Sequence, residues 1–210
     1  MPECYRELIN FTSHIAVWKI NESEIELANG LALSNETLDQ LSKRRSEIHR
    51  KGFLAIRKLL KSYDIDPLAH RYNEDGAPYL TDGRYISITH TKDLAAIALS
   101  SQPVGIDLEN FQEKIIGIAP RFLHVEESLD LNKNIDIHYL TQIWTAKEAL
   151  YKVFRKPGLH FDTQLCLDPI EANTEEGVGS VFYNNNIKKY NLYFRYFDNF
   201  CLSLAIPKKN

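Results

Sequence analysis

The chain has 210 residues, of which 44% are hydrophobic, and its formal net charge is −3. This composition suits one large domain or two small ones, and the charge gives no chain-wide signal for nucleic acid or membrane binding. The three scattered cysteines favour reduced thiols over a disulfide framework. Without a signal-peptide pattern or a run of ~20 apolar residues, we expect a cytoplasmic protein.

The predicted elements begin with a strand at residues 14–20 and one long helix over residues 34–61. Three short strands follow at residues 85–89, 94–100 and 104–109, with a hairpin turn at 91–93. Two short helices near 115–122 and 125–131 precede a strong helix at 137–154. The last third alternates as strands, with turns predicted at 184–186 and 198–199.

A weak internal echo accompanies these elements, because residues 86–100 and 192–206 share one hairpin-like pattern. It predicts an α+β fold with two similar halves packed face to face. We place the boundary between residues 102 and 103.

A strand with two carboxylates carries the sharpest local signal. In residues 104–109, apolar side chains alternate with Gly105, Asp107 and Glu109, which share the other strand face. Two acids at this spacing repel each other unless a hard divalent cation such as Mg²⁺ lies between them. The alternative is a solvated strand face with two ordinary acids.

The strong helix carries a second group of charges. Glu148 and Lys152 are four residues apart and share a face, either within a site or as an ordinary surface ion pair. Lys147 falls near the apolar stripe, so it needs an anionic partner or must extend outward to water.

A basic segment and a histidine complete the candidates. Residues 42–61 hold eight basic side chains and one acid, with Lys43, Arg50 and Arg57 spaced seven apart. Such a row suits a phosphate-rich small molecule, although a solvated face or a nucleic-acid patch is an alternative. His90 lies between two threonines where a strand meets a turn, a position from which it can bind phosphate.

Together these features resemble the 4′-phosphopantetheinyl transferases, most closely the larger surfactin-synthetase-activating type. The family's G-[IV]-D-x-E strand is similar to residues 105–109, and its W-[ST]-x-K-E-[AS]-x-x-K helix is similar to residues 144–152. Supporting segments resemble residues 53–60, 73–78, 89–91 and 118–123. One departure is Ala77, where the family has a lysine, and Arg84 or the basic segment would then contact phosphate.

The resemblance implies two pseudo-twofold-related α+β halves with the active site in the cleft between them. Residues 1–102 would bind coenzyme A, and residues 103–210 would hold the metal, the catalytic groups and a carrier-protein docking loop. Mg²⁺ would be bound by Asp107, Glu109 and Glu148. Asp107, Glu148 and Lys152 are implied as catalytic, and the implied coenzyme A contacts are Arg44, Arg50, Thr89, His90 and Lys152.

The implied reaction transfers phosphopantetheine from coenzyme A to a serine of an apo acyl or peptidyl carrier protein, releasing adenosine 3′,5′-bisphosphate. The carrier is expected to dock on residues 111–134, through Phe122 and Leu123. We expect a monomer that binds neither nucleic acid nor membranes. Two alternatives are a Mg²⁺-dependent nucleotide hydrolase and a non-enzymatic module that binds a phosphorylated or acidic partner.

Overall fold

The computed structural model describes residues 3–66, 68–128 and 136–209. The chain separates into two units, Met1–Gln102 and Pro103–Asn210. Each unit combines a mainly antiparallel sheet with helices, so the fold is mixed α and β as the sequence predicts. Among the described residues, no helix is both long and apolar enough to span a bilayer.

The first unit contains a four-stranded sheet, a two-stranded sheet and three helices. Its elements, in chain order, are β1 (Glu3–Ile9), β2 (Ser13–Lys19), α1 (Glu24–Ala28), α2 (Asn35–Ser42), α3 (Glu47–Ser62), β3 (His70–Tyr72), β4 (Pro78–Leu80), β5 (Tyr85–His90) and β6 (Leu94–Ser100). The sheet order is β1-β2-β6-β5. Strand β1 was not predicted, because Glu3 and Glu7 lie on its half-buried side while Cys4 and Leu8 lie on its exposed side, so apolar residues do not mark one face.

The predicted helix over residues 34–61 is wrong as a single element, because the chain breaks it into α2 and α3. At the break, the Arg50 guanidinium donates to the carbonyls of Arg44 (3.1 Å) and Arg45 (3.0 Å). These carbonyls lack helical partners, and the arginine satisfies them. The predicted row of Lys43, Arg50 and Arg57 is therefore wrong, since Lys43 ends α2 while the other two lie on α3.

Helix α3 packs against the first sheet and covers its core. Leu54, Ile56 and Leu59 are buried there with Ile86 and Ile97 of the sheet. Leu54 and Ile56 are two residues apart and lie on nearly opposite sides of the helix. Residues 52–57 are all buried, so the middle of α3 is enclosed on more than one face.

The second unit contains a five-stranded sheet of order β7-β11-β10-β9-β8. Its elements are β7 (Gly105–Asn110), α4 (Lys114–Ile118), a 3₁₀ turn (Ala119–Arg121), α5 (Val125–Ser128), α6 (Ile137–Phe154), β8 (Leu165–Leu167), β9 (Glu176–Tyr183), β10 (Asn186–Phe197) and β11 (Phe200–Pro207). Part of the predicted helix at 125–131 lies outside the described residues. Helix α6 has the predicted bounds. Its N-cap is Asp136, whose carboxylate accepts a hydrogen bond from His138 N at 2.9 Å.

The two predicted turns of the last third are confirmed. Asn184 and Asn185 have φ of 49° and 59° in the turn between β9 and β10, and Asp198 has φ of 45° between β10 and β11. Asparagine and aspartate tolerate this left-handed conformation better than most residues.

The two sheets share one three-strand pattern. In the first, β2 pairs with β6, which pairs with β5, and in the second β7 pairs with β11, which pairs with β10. In each unit, helices follow the first of these strands and precede the hairpin of the other two. The segments that echo each other in sequence thus form corresponding hairpins.

Candidate active site

Gly105 marks the closest approach of β7 to α6. A Cβ atom at this position would lie 2.0 Å from the Ala149 carbonyl oxygen and 2.8 Å from Val153 N, so only glycine fits without moving the helix. Because strand residues alternate between faces, Asp107 and Glu109 share the face that α6 covers. The glycine therefore allows α6 to pack directly against the strand face that carries the two acids.

Asp107 is buried under this helix and paired with Lys152. The side chain of Lys152 extends from the last turn of α6, where Nζ lies 2.7 Å from Asp107 Oδ1 and 3.0 Å from the Ile106 carbonyl oxygen. Asp107 is only 5% exposed, so the alternative of a solvated strand face is wrong. Lys152 thus contacts β7, whereas the alternative of a surface ion pair with Glu148 predicted a contact within the helix alone.

The acids around this pair crowd negative charge into a partly buried site. Burial, followed by the charges of Asp107 and Glu109, raises the pKa of Glu148 to about 7, although Lys152 opposes the shift. Burial and then Asp107 also raise the pKa of Glu109, against the opposing effects of Lys114 and a hydrogen bond from Trp144. Lys152 and Lys114 offset only part of the repulsion among the three carboxylates, and a further cation would relieve it.

The donor chemistry of these acids fits a hard cation, because all their donors are carboxylate oxygens. The ligand atoms of Asp107, Glu109 and Glu148 do not all lie within 4.8 Å of one another. Across the described ranges, the group that meets this spacing is His124, Glu126 and Cys166.

Lys147 is a structural residue inside the second unit. Its side chain is 0% exposed, and Nζ lies 2.6 Å from Glu127 Oε2. The ammonium also donates to the carbonyls of Phe122 (2.6 Å) and Phe161 (3.0 Å). The structure thus selects an anionic partner over extension to water, and it ties α5 to the helix that carries Glu148.

Glu127 was missed by the sequence reasoning. Its carboxylate also accepts from His124 N (2.8 Å) and Leu167 N (2.9 Å). A glutamate in a short polar helix gives no sequence signal that it will be buried. The signal was on its partner, since a lysine in an apolar stripe requires an acid somewhere in the fold.

The predicted docking contacts Phe122 and Leu123 are wrong as surface residues. Phe122 is 0% exposed and Leu123 is 8% exposed, and both belong to the core of the second unit. Ile116 and Val125 are the exposed apolar side chains nearby, at 38% and 68%. Residues 129–134 of the predicted docking segment lie outside the described residues.

The predicted coenzyme A residues of the first unit lie on α3, on the turn that precedes it and on β5. Arg44 stacks 3.9 Å above the ring of Phe53, while Arg50 forms an ion pair of 2.9 Å with Glu24. His90 is exposed, and a Cβ at Gly52 would lie 2.1 Å from its ring.

Thr89 and Thr91, on either side of His90, have different surroundings. Thr89 is buried, whereas the Thr91 hydroxyl accepts from Leu94 N at 3.1 Å in the hairpin turn. The two hydroxyls that flank the histidine are thus not equivalent.

Residues 103–205 match the model of the 4′-phosphopantetheinyl transferase superfamily. This segment contains β7 and α6, and with them every residue of the acidic site. The second unit, residues 103–210, is thus similar to that superfamily over nearly its whole length.

Known relatives match the chain over about half its length. It is 33% identical over 111 residues to the 4′-phosphopantetheinyl transferase gsp of Aneurinibacillus migulanus, covering 50% of this chain and 47% of that protein. It is 32% identical over 118 residues to a 4′-phosphopantetheinyl transferase of Bacillus subtilis, and 29% identical over 118 residues to Sfp of Bacillus subtilis strain 168. Both alignments cover 51% of this chain and 53% of the relative.

Proposed function

We propose that this chain transfers the 4′-phosphopantetheine group from coenzyme A to a serine of an apo carrier protein. The observation that carries the proposal is the convergence of Asp107, Glu109, Glu148 and Lys152 in the segment that matches the superfamily. The names of its relatives agree with this activity.

We propose that Asp107, Glu109 and Glu148 hold Mg²⁺. When bound, the ion would neutralise charge on the diphosphate of coenzyme A as its phosphoanhydride bond breaks and adenosine 3′,5′-bisphosphate leaves. The raised pKa values of Glu109 and Glu148 support this role, because burial and then the neighbouring carboxylates disfavour their charged forms, and a bound cation would offset both effects.

Glu148 and Lys152 would divide the remaining chemistry. Glu148 accepts the proton of the carrier serine, either directly or through a water molecule, so that the hydroxyl oxygen can attack phosphorus. Lys152 holds Asp107 in the free protein and would contact the diphosphate in the complex. Roles for Arg44, Arg50, Thr89 and His90 in binding coenzyme A rest on the family resemblance, as do the pseudo-twofold relation and the cleft.

The decisive experiment is incubation of the chain with coenzyme A, Mg²⁺ and a panel of apo carrier proteins. Intact-protein mass spectrometry should show a gain of one phosphopantetheine group, which EDTA abolishes. Asp107→Ala should abolish the gain, whereas Asp168→Ala, which removes an exposed acid, should keep it. Full transfer by Asp107→Ala would remove the metal argument, and phosphate release from nucleotides without transfer would favour the hydrolase alternative.

The exposed apolar side chains of α4 and α5 are the candidate docking surface for the carrier. Val125→Asp should raise KM for the carrier and leave KM for coenzyme A unchanged, because a charge there disfavours an apolar contact. Ile187→Asp is a matched control, since Ile187 is 61% exposed on β10. Equal effects of the two variants would place the docking surface elsewhere.

A further inference from the structure

The first unit contains a cavity that the proposed transferase activity does not use. It has a volume of about 220 Å³ and lies between residues 30–33, which join α1 to α2, and the second half of α3. Its apolar wall is formed by Leu31, Leu33, Leu60 and Ile65. A space of this size exceeds the ~150 Å³ of an engineered cavity that binds benzene.

Two lysines of α3 hold the segment that covers this cavity. Lys58 Nζ donates to the Asn29 carbonyl oxygen at 2.5 Å, and Lys61 Nζ donates to the Gly30 carbonyl oxygen at 2.6 Å. These carbonyls follow α1, where helical partners end. The cover is therefore anchored to α3 and is part of the fold.

Arg57 lines the cavity as a buried cation. It is 8% exposed, lies 3.2 Å above the ring of Phe53 and donates to the Phe53 carbonyl oxygen at 3.1 Å. The phenol of Tyr72 acts on the Arg57 charge and raises its pKa, against the larger lowering by burial. Within the described parts of the chain, no carboxylate lies within ion-pair distance of Arg57, and a buried charge without a counter-ion is costly.

His70 supplies a second polar group at the same cavity. It is 7% exposed, and its Nε2 has no hydrogen-bond partner among the described residues. Burial, followed by the charge of Arg57, lowers the pKa of His70 to about 3, so its ring is neutral. A neutral imidazole offers one N–H donor and one acceptor without adding charge.

We propose that this cavity binds a small carboxylic acid with a short apolar chain, whose carboxylate meets Arg57 and His70. One uncompensated buried cation matches one negative charge, and a phosphate dianion would leave excess charge buried. The leucine and isoleucine side chains of the wall suit a short alkyl chain. The charges at the rim, Lys61 and Asp64, are exposed and opposite in sign.

The test uses the full chain with hexanoate, hexanol and inorganic phosphate as probes, followed by isothermal titration calorimetry. Hexanoate should bind at least about tenfold more tightly than hexanol, because a charge-assisted hydrogen bond is worth more than a neutral one. Phosphate should bind more weakly than hexanoate. The titrations contain neither coenzyme A nor Mg²⁺, so their result is separate from that of the transfer assay.

Two variants locate the site. Leu33→Trp should fill the cavity and reduce hexanoate affinity at least about tenfold, whereas Leu38→Trp, on the exposed side of α2, should not. Arg57→Gln should remove the preference for the acid over the alcohol. If this variant does not fold, the comparison of hexanoate with hexanol on the unmodified chain decides the charge requirement.

Three results would overturn the proposal. Absence of hexanoate binding would reject the site. Equal affinity for hexanoate and hexanol would reject the role of the buried cation. Unchanged hexanoate binding in Leu33→Trp would place the acid elsewhere on the protein.

Discussion

Replacing Lys147 by methionine tests whether the buried ion pair holds the second unit together. The change removes an ammonium that is 0% exposed and pairs at 2.6 Å with a carboxylate that is 4% exposed. Removing one member of a buried pair costs about 3–5 kcal/mol, because the other charge stays buried. Two backbone N–H groups still hold the Glu127 carboxylate, so we expect the lower end of this range.

The loss includes more than the ion pair. The carbonyls of Phe122 and Phe161 each lose a donor, and an unsatisfied buried acceptor costs about 1–3 kcal/mol. Together with the lower end of the ion-pair range, these two acceptors give a loss of about 5 kcal/mol, which changes the folding equilibrium by more than about 1,000-fold. The side chain of methionine fills similar space, so little of the effect comes from a cavity.

Equilibrium urea unfolding, followed by tryptophan fluorescence, measures the free energy of unfolding. Lys43→Met is the matched control, because Lys43 pairs with Asp39 at 2.5 Å with side chains 72% and 59% exposed. That pair should be worth no more than about 0.5 kcal/mol. A Lys147→Met loss as small as the control would refute the structural role of the pair.

A double variant separates the charge from the packing. Adding Glu127→Gln to Lys147→Met removes the uncompensated buried charge. The double variant should therefore be more stable than the sum of the two single losses predicts. Additive losses would show that the two side chains are not coupled.

Three further predictions concern the site and the cavity. Gly105→Ala should destabilise the chain by about 1–3 kcal/mol and reduce transfer, since its Cβ would lie 2.0 Å from the Ala149 carbonyl oxygen; urea unfolding and the mass assay measure both effects. Glu148→Gln should lose most of the rate with the fold intact, as checked by kcat and circular dichroism. The free energy of unfolding should decrease as pH falls, because the pKa of His70 in the folded chain, about 3, lies below the ordinary 6.5. The unfolded chain then binds the proton first, so the free energy of unfolding falls by about 2 kcal/mol between pH 6.5 and pH 5.

The pH experiment compares the unmodified chain with His70→Gln, which lacks this titration. Glu148 acts in the opposite direction, because its pKa of about 7 lies above the ordinary 4.5 and the folded state gains a proton as pH falls. This contribution is present in both proteins, so it cancels in the difference. Equal pH slopes for the two proteins would contradict the buried, neutral state of His70. Near-normal kcat in Glu148→Gln would assign the base elsewhere, and unchanged stability of Gly105→Ala would contradict the close approach of α6.

Local sequence patterns predicted those elements whose caps, apolar period and turn residues all lie within the element itself. Helix α6 has an N-cap at Asp136 and an apolar period along its whole length, and both predicted asparagine and aspartate turns occur. The break between α2 and α3 was missed because it depends on Arg50, whose contacts at the break come from a different turn of helix. Strand β1 was missed because its polar and apolar residues do not alternate.

The sequence by itself determined which residue types meet in the candidate site. The spacing of Gly105, Asp107 and Glu109 assigns one strand face, and Glu148 and Lys152 share a helix face, because both periodicities are properties of the backbone. Only the tertiary structure decided which partner each charge has. It joined Lys152 to Asp107 and Lys147 to Glu127, and it buried Phe122 and Arg57. Burial and pairing depend on residues distant in the chain, and no local pattern contains them.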